Sequence, residues 1–274
     1  MTYTDLADEE TDAEALRELA GVYGKRATSL PPVALVIAAY NEEGHVGPVV
    51  EALPRTVCGL RAEVIVVADG CVDATVKEAH EAGALVADVP VNRGQGAALR
   101  LGYRIAREGR AKYIVTSDAD GQYNPLDIES LLAPVVAGEA DFVTGSRRLG
   151  RDETRDPVRR AGVRFFGFLV SALTGQRVSD TTFGLRAMRA ELTGVVRLEQ
   201  PQYQASELLI GVIARGYRVR ELPATMHKRQ AGESKKGQNP LYGLNITAVN
   251  DLFYGARFTG VVLRTWWRER GRRD

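Results

Sequence analysis

The 274-residue chain lacks cysteine-rich spacing, a long apolar run and an excess of either charge. Cys58 and Cys71 have neither metal-ligand spacing nor the pattern of a disulfide framework. They fit a reducing, cytosolic compartment, with Cys71 as a small packing residue. No uninterrupted run of about 18 apolar residues occurs, so we expect no membrane span. The formal net charge of +1 gives no electrostatic argument for nucleic acid as a partner.

What remains is the composition of an ordinary globular chain. Hydrophobic residues make up 45% and charged residues 26%, which favours one large α/β domain over two. Residues 1–30 are polar and acidic with helical periodicity, unlike a secretory signal, and two prolines follow them. We therefore divide the chain into an N-terminal helical segment (1–30), an α/β domain (31–237) and a C-terminal helical segment (238–274).

Apolar strands alternate with stretches of helical spacing from residue 33 onward. The predicted strands are 33–39, 63–68, 84–89, 112–117 and 141–145, and the predicted helices are 43–53, 73–82, a segment ending at 106, and 126–136. This alternation predicts a mostly parallel sheet with helices on both faces. Right-handed crossovers put the carboxyl ends of the parallel strands, with the motifs that follow them, at one edge of the sheet.

The segment D-A-D-G-Q, residues 118–122, closes one of these strands. Asp118 and Asp120 are so close in sequence that their carboxylates repel each other unless a cation neutralises them. A divalent ion such as Mg²⁺ is commonly bound by one or two carboxylates together with substrate phosphates. A polar loop rich in Asp and Gly is the structural alternative.

Other polar residues follow the first two strands. Tyr40 follows Ala39 directly and Glu42 lies two residues further on, where they can stack on, or hydrogen-bond to, a nucleotide base. Glu43 opens the next helix, where the helix dipole favours an acid. Asp69 stands at the tip of the second strand without such a structural reason, so we predict that it accepts a hydrogen bond from the base.

A glycine-rich segment, residues 92–98, follows the third strand. It has neither the spacing of a Walker loop nor that of a Rossmann fingerprint. Arg93 and the backbone N–H groups near Gly94 lie at a predicted helix N-terminus, where phosphate binds well. The segment is therefore a candidate phosphate-binding loop.

These motifs together resemble the family 2 glycosyltransferases, whose nucleotide-sugar-binding α/β core is called the GT-A fold. The resemblance covers roughly residues 33–237 in order, so residues 31–237 form the expected catalytic domain. The matching motifs are A-Y-N-E-E from Ala39, D-G with Asp73 and Thr75, N-R-G-x-G, D-A-D-G-Q and Gly145-Ser146-Arg147. The runs 179–187 (S-D-T-T-F-G-L-R-A) and 229–235 (R-Q-A-G-E-S-K) are similar to the polyprenyl-phosphate, or dolichol-phosphate mannose synthase-like, group. Ala68 departs from the family, which commonly has an acid there.

The resemblance implies an inverting, metal-dependent transfer of a sugar from a UDP- or GDP-linked donor. Asp120, then Gln122, is the expected ligand of Mg²⁺ or Mn²⁺, which stabilises the charge on the leaving diphosphate. Asp118 is expected at the ribose or base, and Arg147 at the diphosphate. The residues expected on the nucleotide side are Ala39, Tyr40, Glu42, Asp69, Arg93, Gly94, Asp118 and Ala119.

Two kinds of molecule could accept the sugar. The resemblance implies polyprenyl phosphate as the acceptor. Since this phosphate is already an anion, it needs cations to hold it more than it needs a general base. The residues expected to bind it are Asp180, Arg229, Ser234 and Lys235. The alternative is the hydroxyl of a soluble or polymer-bound glycan, with Glu207 as the general base, although Glu207 can equally complement a helix dipole. A non-catalytic nucleotide-sugar-binding relative is the second alternative, which the intact motifs disfavour.

The C-terminal segment combines aromatic residues with arginine. Trp266 and Trp267 precede four arginines between residues 268 and 273, and polar residues interrupt the segment too often for a span. This pattern is typical of a helix at a membrane interface, here on the cytoplasmic face. It is also compatible with a helix that packs on the catalytic domain or on a second copy of the chain in a homo-oligomer.

Overall fold

The computed structural model describes residues 3–154, 157–200, 204–228 and 247–270. The strands in these ranges are β1 (Val33–Ala39), β2 (Thr56–Val57), β3 (Leu60–Asp69), β4 (Leu85–Val89), β5 (Tyr113–Asp118), β6 (Phe142–Asp152), β7 (Arg186–Arg189) and β8 (Val219–Met226). The helices are α1 (Tyr3–Tyr23), α2 (Lys25–Thr28), α3 (Val46–Ala52), α4 (Thr75–Glu81), α5 (Gln95–Glu108), α6 (Asp127–Val136), α7 (Pro157–Thr174), α8 (Leu192–Val195), α9 (Gln204–Ala214) and α10 (Thr247–Glu269).

The strands form one mixed sheet in the order β2-β3-β1-β5-β7-β6-β8, with β4 paired to β3. β1 pairs in parallel with β3 and β5, β3 with β4, and β6 with β8. β7 runs antiparallel between β5 and β6. The expected mostly parallel sheet is confirmed. The reversed strand β7 was not predicted, because four residues are too few to show a strand pattern.

Alternate side chains of the central strands supply two cores, one on each face of the sheet. Ala34 and Val36 of β1 belong to the core on one face, to which α1, α5, α7, α9 and α10 contribute buried residues. Leu35 and Ile37 pack with α3, α4 and α6. Successive strand residues point to opposite faces, so a sheet covered on both sides needs the continuous apolar runs seen in the sequence.

Two element boundaries differ from the prediction for local reasons. The helix expected at 43–53 begins at Val46, because Gly44 has a φ angle of 77°, which a right-handed helix excludes, so Glu43 precedes the helix instead of opening it. The strand expected at 141–145 continues to Asp152, because its extension pairs with the end of β8 after a register shift beyond Ser146. Both differences lie at the carboxyl edge of the sheet.

The helices at either end of the chain pack on this core. α1 buries Leu19, and the Tyr23 hydroxyl accepts the N–H of Val86 in β4 at 3.2 Å. α10 packs against α7 and α9 through buried Phe258 and Val262. In the part of the chain that is described, no helix is long and apolar enough to cross a bilayer. The segment limits proposed above stay predictions.

Candidate functional site

The carboxyl ends of three neighbouring strands bring the motifs of the nucleotide side together. Ala39 at the end of β1 stands beside Ala68 of β3, and Ala38 stands beside Asp118 of β5. Asp69 is the last residue of β3, one position beyond Ala68. The segments A-Y-N-E-E, D-G and D-A-D therefore lie side by side, Ala119 included, as expected for an open α/β sheet.

The loop after β1 is fastened to the loop after β3. The N–H of Glu42 donates to Thr75 Oγ1 at 2.7 Å, and Asn41 Oδ1 accepts the N–H of Val72 at 2.9 Å. Tyr40 is 41% exposed at this edge. An exposed ring there is compatible with the predicted stacking on a base, which stays a prediction.

The D-A-D-G-Q loop is fixed on both sides. Asp118 Oδ1 accepts Nε2 of Gln95 at 3.2 Å, and a Cβ on Gly184 would lie 3.2 Å from both Asp118 carboxylate oxygens. Asp120 is nearly buried and accepts the N–H of Gln122 at 3.1 Å. The fold therefore sets the place of both carboxylates, and the close approach at Gly184 leaves no room for a larger residue.

The same loop is tied to the end of β8. Gln122 Nε2 donates to the His227 carbonyl at 3.2 Å, and the His227 N–H donates to the Gln122 carbonyl at 2.8 Å. Nδ1 of His227 lies 3.1 Å from a carboxylate oxygen of Glu153 on the β6 side. Asp118, Asp120 and His227 line one cavity of about 320 Å³. The end of β5 with the loop that follows it, and the residue that follows β8, thus line the same cavity.

A divalent cation fits the residues of this cavity. Asp118 and Asp120 both line it, and a cation would offset their mutual repulsion. Among the described residues, no cluster of three or more His, Cys, Asp and Glu side chains makes a complete metal site. Mg²⁺ needs no such cluster when substrate phosphates supply the remaining ligands. The donor set therefore suits a cation that binds together with a diphosphate.

Asp69 fastens the glycine-rich loop to the tip of β3. Its Oδ2 accepts the N–H groups of Arg93 at 2.8 Å and Gly94 at 2.7 Å. Gly70 lets the two loops approach, because a Cβ there would lie 2.2 Å from the Asn92 nitrogen. Burial raises the pKa of Asp69, while the two N–H donors favour its ionised form. The structure shows Asp69 holding a loop, and its contact with a base stays a prediction.

Arg147 forms a second buried centre beside the D-A-D-G-Q loop. Its Nε donates to Asp180 Oδ2 at 2.6 Å, and its Nη2 donates to Thr182 Oγ1 at 3.0 Å. The guanidinium lies over the Phe183 ring, 5.5 Å from the ring centre. Its Nη1 is buried with no hydrogen-bond partner among the described residues. Asp180, expected at the acceptor, is therefore the counterion that orients Arg147.

Two buried residues that the motifs did not single out connect these centres. The Tyr123 hydroxyl accepts the N–H of Gly184 at 2.8 Å, and its ring lies 4.8 Å from that of Phe183. Burial, with Asp118 nearby, raises the pKa of Tyr123 well above its ordinary value. Arg186 donates to the carbonyls of Thr181, Phe183 and Ala205. The only signal in the sequence was position, since Tyr123 follows the D-A-D-G-Q segment and Arg186 ends the F-G-L-R segment.

Glu207 is fully buried in the first turn of α9. Its Oε2 accepts the N–H groups of Glu199 at 2.9 Å and Gln200 at 3.0 Å, and its Oε1 accepts Nη2 of Arg268 in α10 at 3.0 Å. Both carboxylate oxygens thus hold neighbouring segments. The other residues expected at the acceptor, Arg229, Ser234 and Lys235, lie outside the described residues.

Comparison with known proteins adds to this geometry. Residues 34–196 match the family model for glycosyl transferase family 2. The chain is 34% identical to a dolichyl-phosphate hexose transferase of Haloferax volcanii, over 74% of this chain and 86% of that protein. It is 29% identical to an undecaprenyl-phosphate mannosyltransferase of Micrococcus luteus, over 85% of this chain and 98% of that protein.

Among solved structures, the fold is similar to glucosyl-3-phosphoglycerate synthase from Mycobacterium tuberculosis in complex with Mn²⁺, uridine diphosphate and phosphoglyceric acid. The TM-score is 0.64 at 22% identity, over 92% of this chain and 82% of that chain. This likeness confirms the predicted GT-A architecture.

Proposed function

Because this chain belongs to glycosyl transferase family 2, we propose that it transfers a sugar, with inversion, from a UDP- or GDP-linked donor to polyprenyl phosphate. The observation that carries the proposal is that the acids of the D-A-D-G-Q loop and Arg147 lie close to the contacting rings of Tyr123 and Phe183. Carboxylates suited to a cation and a guanidinium suited to an anion stand together there. Transfer from a nucleoside diphosphate requires both.

On the donor side of the site, we assign a role to each of the polar residues. Asp120 with Gln122 is proposed to hold Mg²⁺ or Mn²⁺, and Asp118 to contact the ribose or base. When bound, the cation stabilises the charge that grows on the leaving diphosphate. Arg147, oriented by Asp180, donates to the same diphosphate through its planar guanidinium. The Mn²⁺ and uridine diphosphate bound by the mycobacterial synthase support this proposal.

The contacts of Glu207 favour a lipid-phosphate acceptor over a sugar hydroxyl. A general base needs a carboxylate within reach of the hydroxyl proton, whereas both oxygens of Glu207 are buried and accept hydrogen bonds from its neighbours. A phosphate is already an anion and needs no such base. We therefore propose that Arg229, Ser234 and Lys235 bind polyprenyl phosphate, in agreement with the acceptors named for the two relatives.

A lipid acceptor also requires contact with a bilayer, and two packed helices expose suitable side chains. α7 exposes Phe165 and Phe168, and α10 exposes Trp267, whose ring centre lies 3.4 Å from the guanidinium of Arg270. Aromatic rings and cations are both favoured at a membrane interface. We propose peripheral binding at the cytoplasmic face through these two helices.

A transfer assay tests the proposal. The purified protein is mixed with UDP- or GDP-sugars, Mg²⁺ or Mn²⁺, and polyprenyl phosphate in detergent. We expect release of nucleoside diphosphate together with a lipid-linked sugar, and loss of both in excess chelator. Transfer to a soluble sugar without a lipid product would favour the hydroxyl acceptor. Nucleotide binding without release would favour the non-catalytic alternative.

A further inference from the structure

The helix α1 precedes residue 34, where the family match begins, yet its acids reach the nucleotide edge of the sheet. Asp12 Oδ1 accepts Nη1 of Arg93 at 2.8 Å, and Asp8 Oδ1 lies 3.7 Å from the same nitrogen. Asp8 Oδ2 also lies 3.4 Å from Nη2 of Arg100 on α5. Acids of α1 therefore bind two arginines of the glycine-rich loop and the helix that follows it.

The ion pair between Asp12 and Arg93 is shielded from water. The two side chains are 17% and 11% exposed, so solvent and salt screen their attraction less than they screen a surface pair. A third carboxylate, Asp69, has its Oδ1 3.6 Å from Nε of Arg93. One guanidinium is thus surrounded by the carboxylates of Asp8, Asp12 and Asp69. This environment favours a structural use of Arg93 over the phosphate contact expected from the sequence.

The loop that Arg93 anchors leads to the first acid of D-A-D-G-Q. Asp69 holds the N–H groups of Arg93 and Gly94, and the next residue, Gln95, donates from Nε2 to Asp118 Oδ1 at 3.2 Å. A continuous set of contacts therefore runs from Asp12 through Arg93 and Gln95 to Asp118. A shift of the loop would change the surroundings of the Asp118 carboxylate.

We propose that Arg93 is a positioning residue of the donor site and that α1 is its support. The Asp12–Arg93 ion pair fixes the loop at residues 92–95 and, through Gln95, the carboxylate of Asp118. The inference rests on the proposed function, because Asp118 is taken as a contact of the donor ribose or base. Loss of the ion pair should then weaken binding of the whole nucleotide, whereas loss of a direct phosphate contact would weaken binding of the phosphates alone.

The test compares Asp12→Asn, Arg93→Gln and the double variant in the full chain. Glu14→Gln is the matched control, because it removes an exposed acid from the same helix. Dissociation constants are measured with Mg²⁺ for UDP, GDP, uridine and guanosine. We expect each single change to weaken binding of the preferred nucleotide about five- to twentyfold, and the double variant to match Arg93→Gln, because Asp12 acts through Arg93. The nucleoside should lose affinity by a similar factor, and Glu14→Gln should bind like wild type.

Several outcomes would contradict the inference. Additive losses in the double variant, or a loss confined to the diphosphates, would show that Arg93 contacts phosphate itself. Unchanged binding by Asp12→Asn would show that the Asp12–Arg93 ion pair does not support the donor site. Should Arg93→Gln fail to fold, the inference is decided by Asp12→Asn and Asp12→Glu. It requires that Asp12→Asn loses nucleotide affinity and that Asp12→Glu, which keeps the charge, recovers it. If wild type binds neither UDP nor GDP, the proposed function fails, and the inference fails with it.

Discussion

Acids in the two halves of the sheet are held in different ways. In the half containing β1, β3 and β5, Asp120 accepts an N–H from its own loop, and Asp69 accepts two from the neighbouring loop, with Nε of Arg93 3.6 Å from its other oxygen. In the half containing β6 and β8, Asp180 and Glu207 also accept backbone N–H groups, but each is hydrogen-bonded to a guanidinium as well, Asp180 to Arg147 at 2.6 Å and Glu207 to Arg268 at 3.0 Å. An N–H donor fixes a carboxylate without cancelling its charge, whereas a guanidinium also neutralises it. The first arrangement suits an acid that acts on a ligand, as proposed for Asp120, or one that holds a loop, as Asp69 does. The second suits acids that orient arginines and hold helices.

Asp120→Asn is expected to have the largest effect on transfer. Loss of a charged cation ligand should lower kcat about a thousandfold, because stabilisation of the leaving diphosphate is lost. The thermal unfolding midpoint should stay close to that of wild type, since Asn has the size of Asp and its side-chain oxygen can still accept the N–H of Gln122. Glu129→Gln, which removes an exposed acid from α6, is the control and should keep full activity. A wild-type rate in Asp120→Asn would remove the assignment of Asp120 to the cation.

Arg147→Lys should lower kcat/KM about a hundredfold, because an ammonium group cannot reproduce the fixed, planar set of donors. Asp180→Asn should lower it about tenfold, since the arginine remains but loses its charged partner. The double variant should resemble Arg147→Lys, because Asp180 acts through Arg147. Losses that multiply in the double variant would indicate that Asp180 contacts the acceptor directly.

Glu207→Gln should mainly affect stability. Replacing one partner of a buried ion pair leaves Arg268 less well compensated, so the free energy of unfolding should fall by about 2 kcal/mol. The value of kcat should change less than about threefold, with an unchanged pH–rate profile. Chemical denaturation and steady-state kinetics on the same sample separate the two effects. A loss of activity of about a hundredfold or more, in a protein of normal stability, would instead identify Glu207 as the general base.

The grouping of the expected nucleotide-binding residues at one edge of the sheet could be predicted, because it follows from the order of strands and helices along the chain. Apolar runs identified β1, β3 and β5, and parallel pairing of these strands was enough to bring Tyr40, Asp69 and Asp118 to one edge. The partners of these residues were not predictable to the same extent. Asp69 holds the loop at Arg93 and Gly94, which depends on the close approach of two turns rather than on a residue pattern.

The second half was less predictable because its contacts join distant parts of the chain. Glu207 and Arg268 are 61 positions apart, and no periodicity links them. β7 is four residues long, so its reversed direction left no pattern. Arg147 was identified from its motif, but its contact with Asp180 depends on the fold of the 179–185 loop. Roles that depend on such pairs need the structure, whereas roles that follow from strand ends do not.

Substitution of Asp141 is expected to have the smallest effect on transfer, because this residue directly precedes β6, at the edge of the sheet opposite to the site. It accepts hydrogen bonds from Arg218 at 2.9 Å and pairs with Arg189 at 3.1 Å, and the Arg218 hydrogen bonds lower the pKa of Asp141. A lowered folded-state pKa stabilises the fold above the ordinary value of 3.8, and this contribution is lost as pH falls through the folded-state pKa. Asp141→Asn should therefore lower the free energy of unfolding by about 1 kcal/mol at pH 7, with the difference from wild type shrinking below about pH 4. Transfer activity at pH 7 should be unchanged. A loss of activity at unchanged stability would show that the arginine-held acids of this half do more than hold the fold.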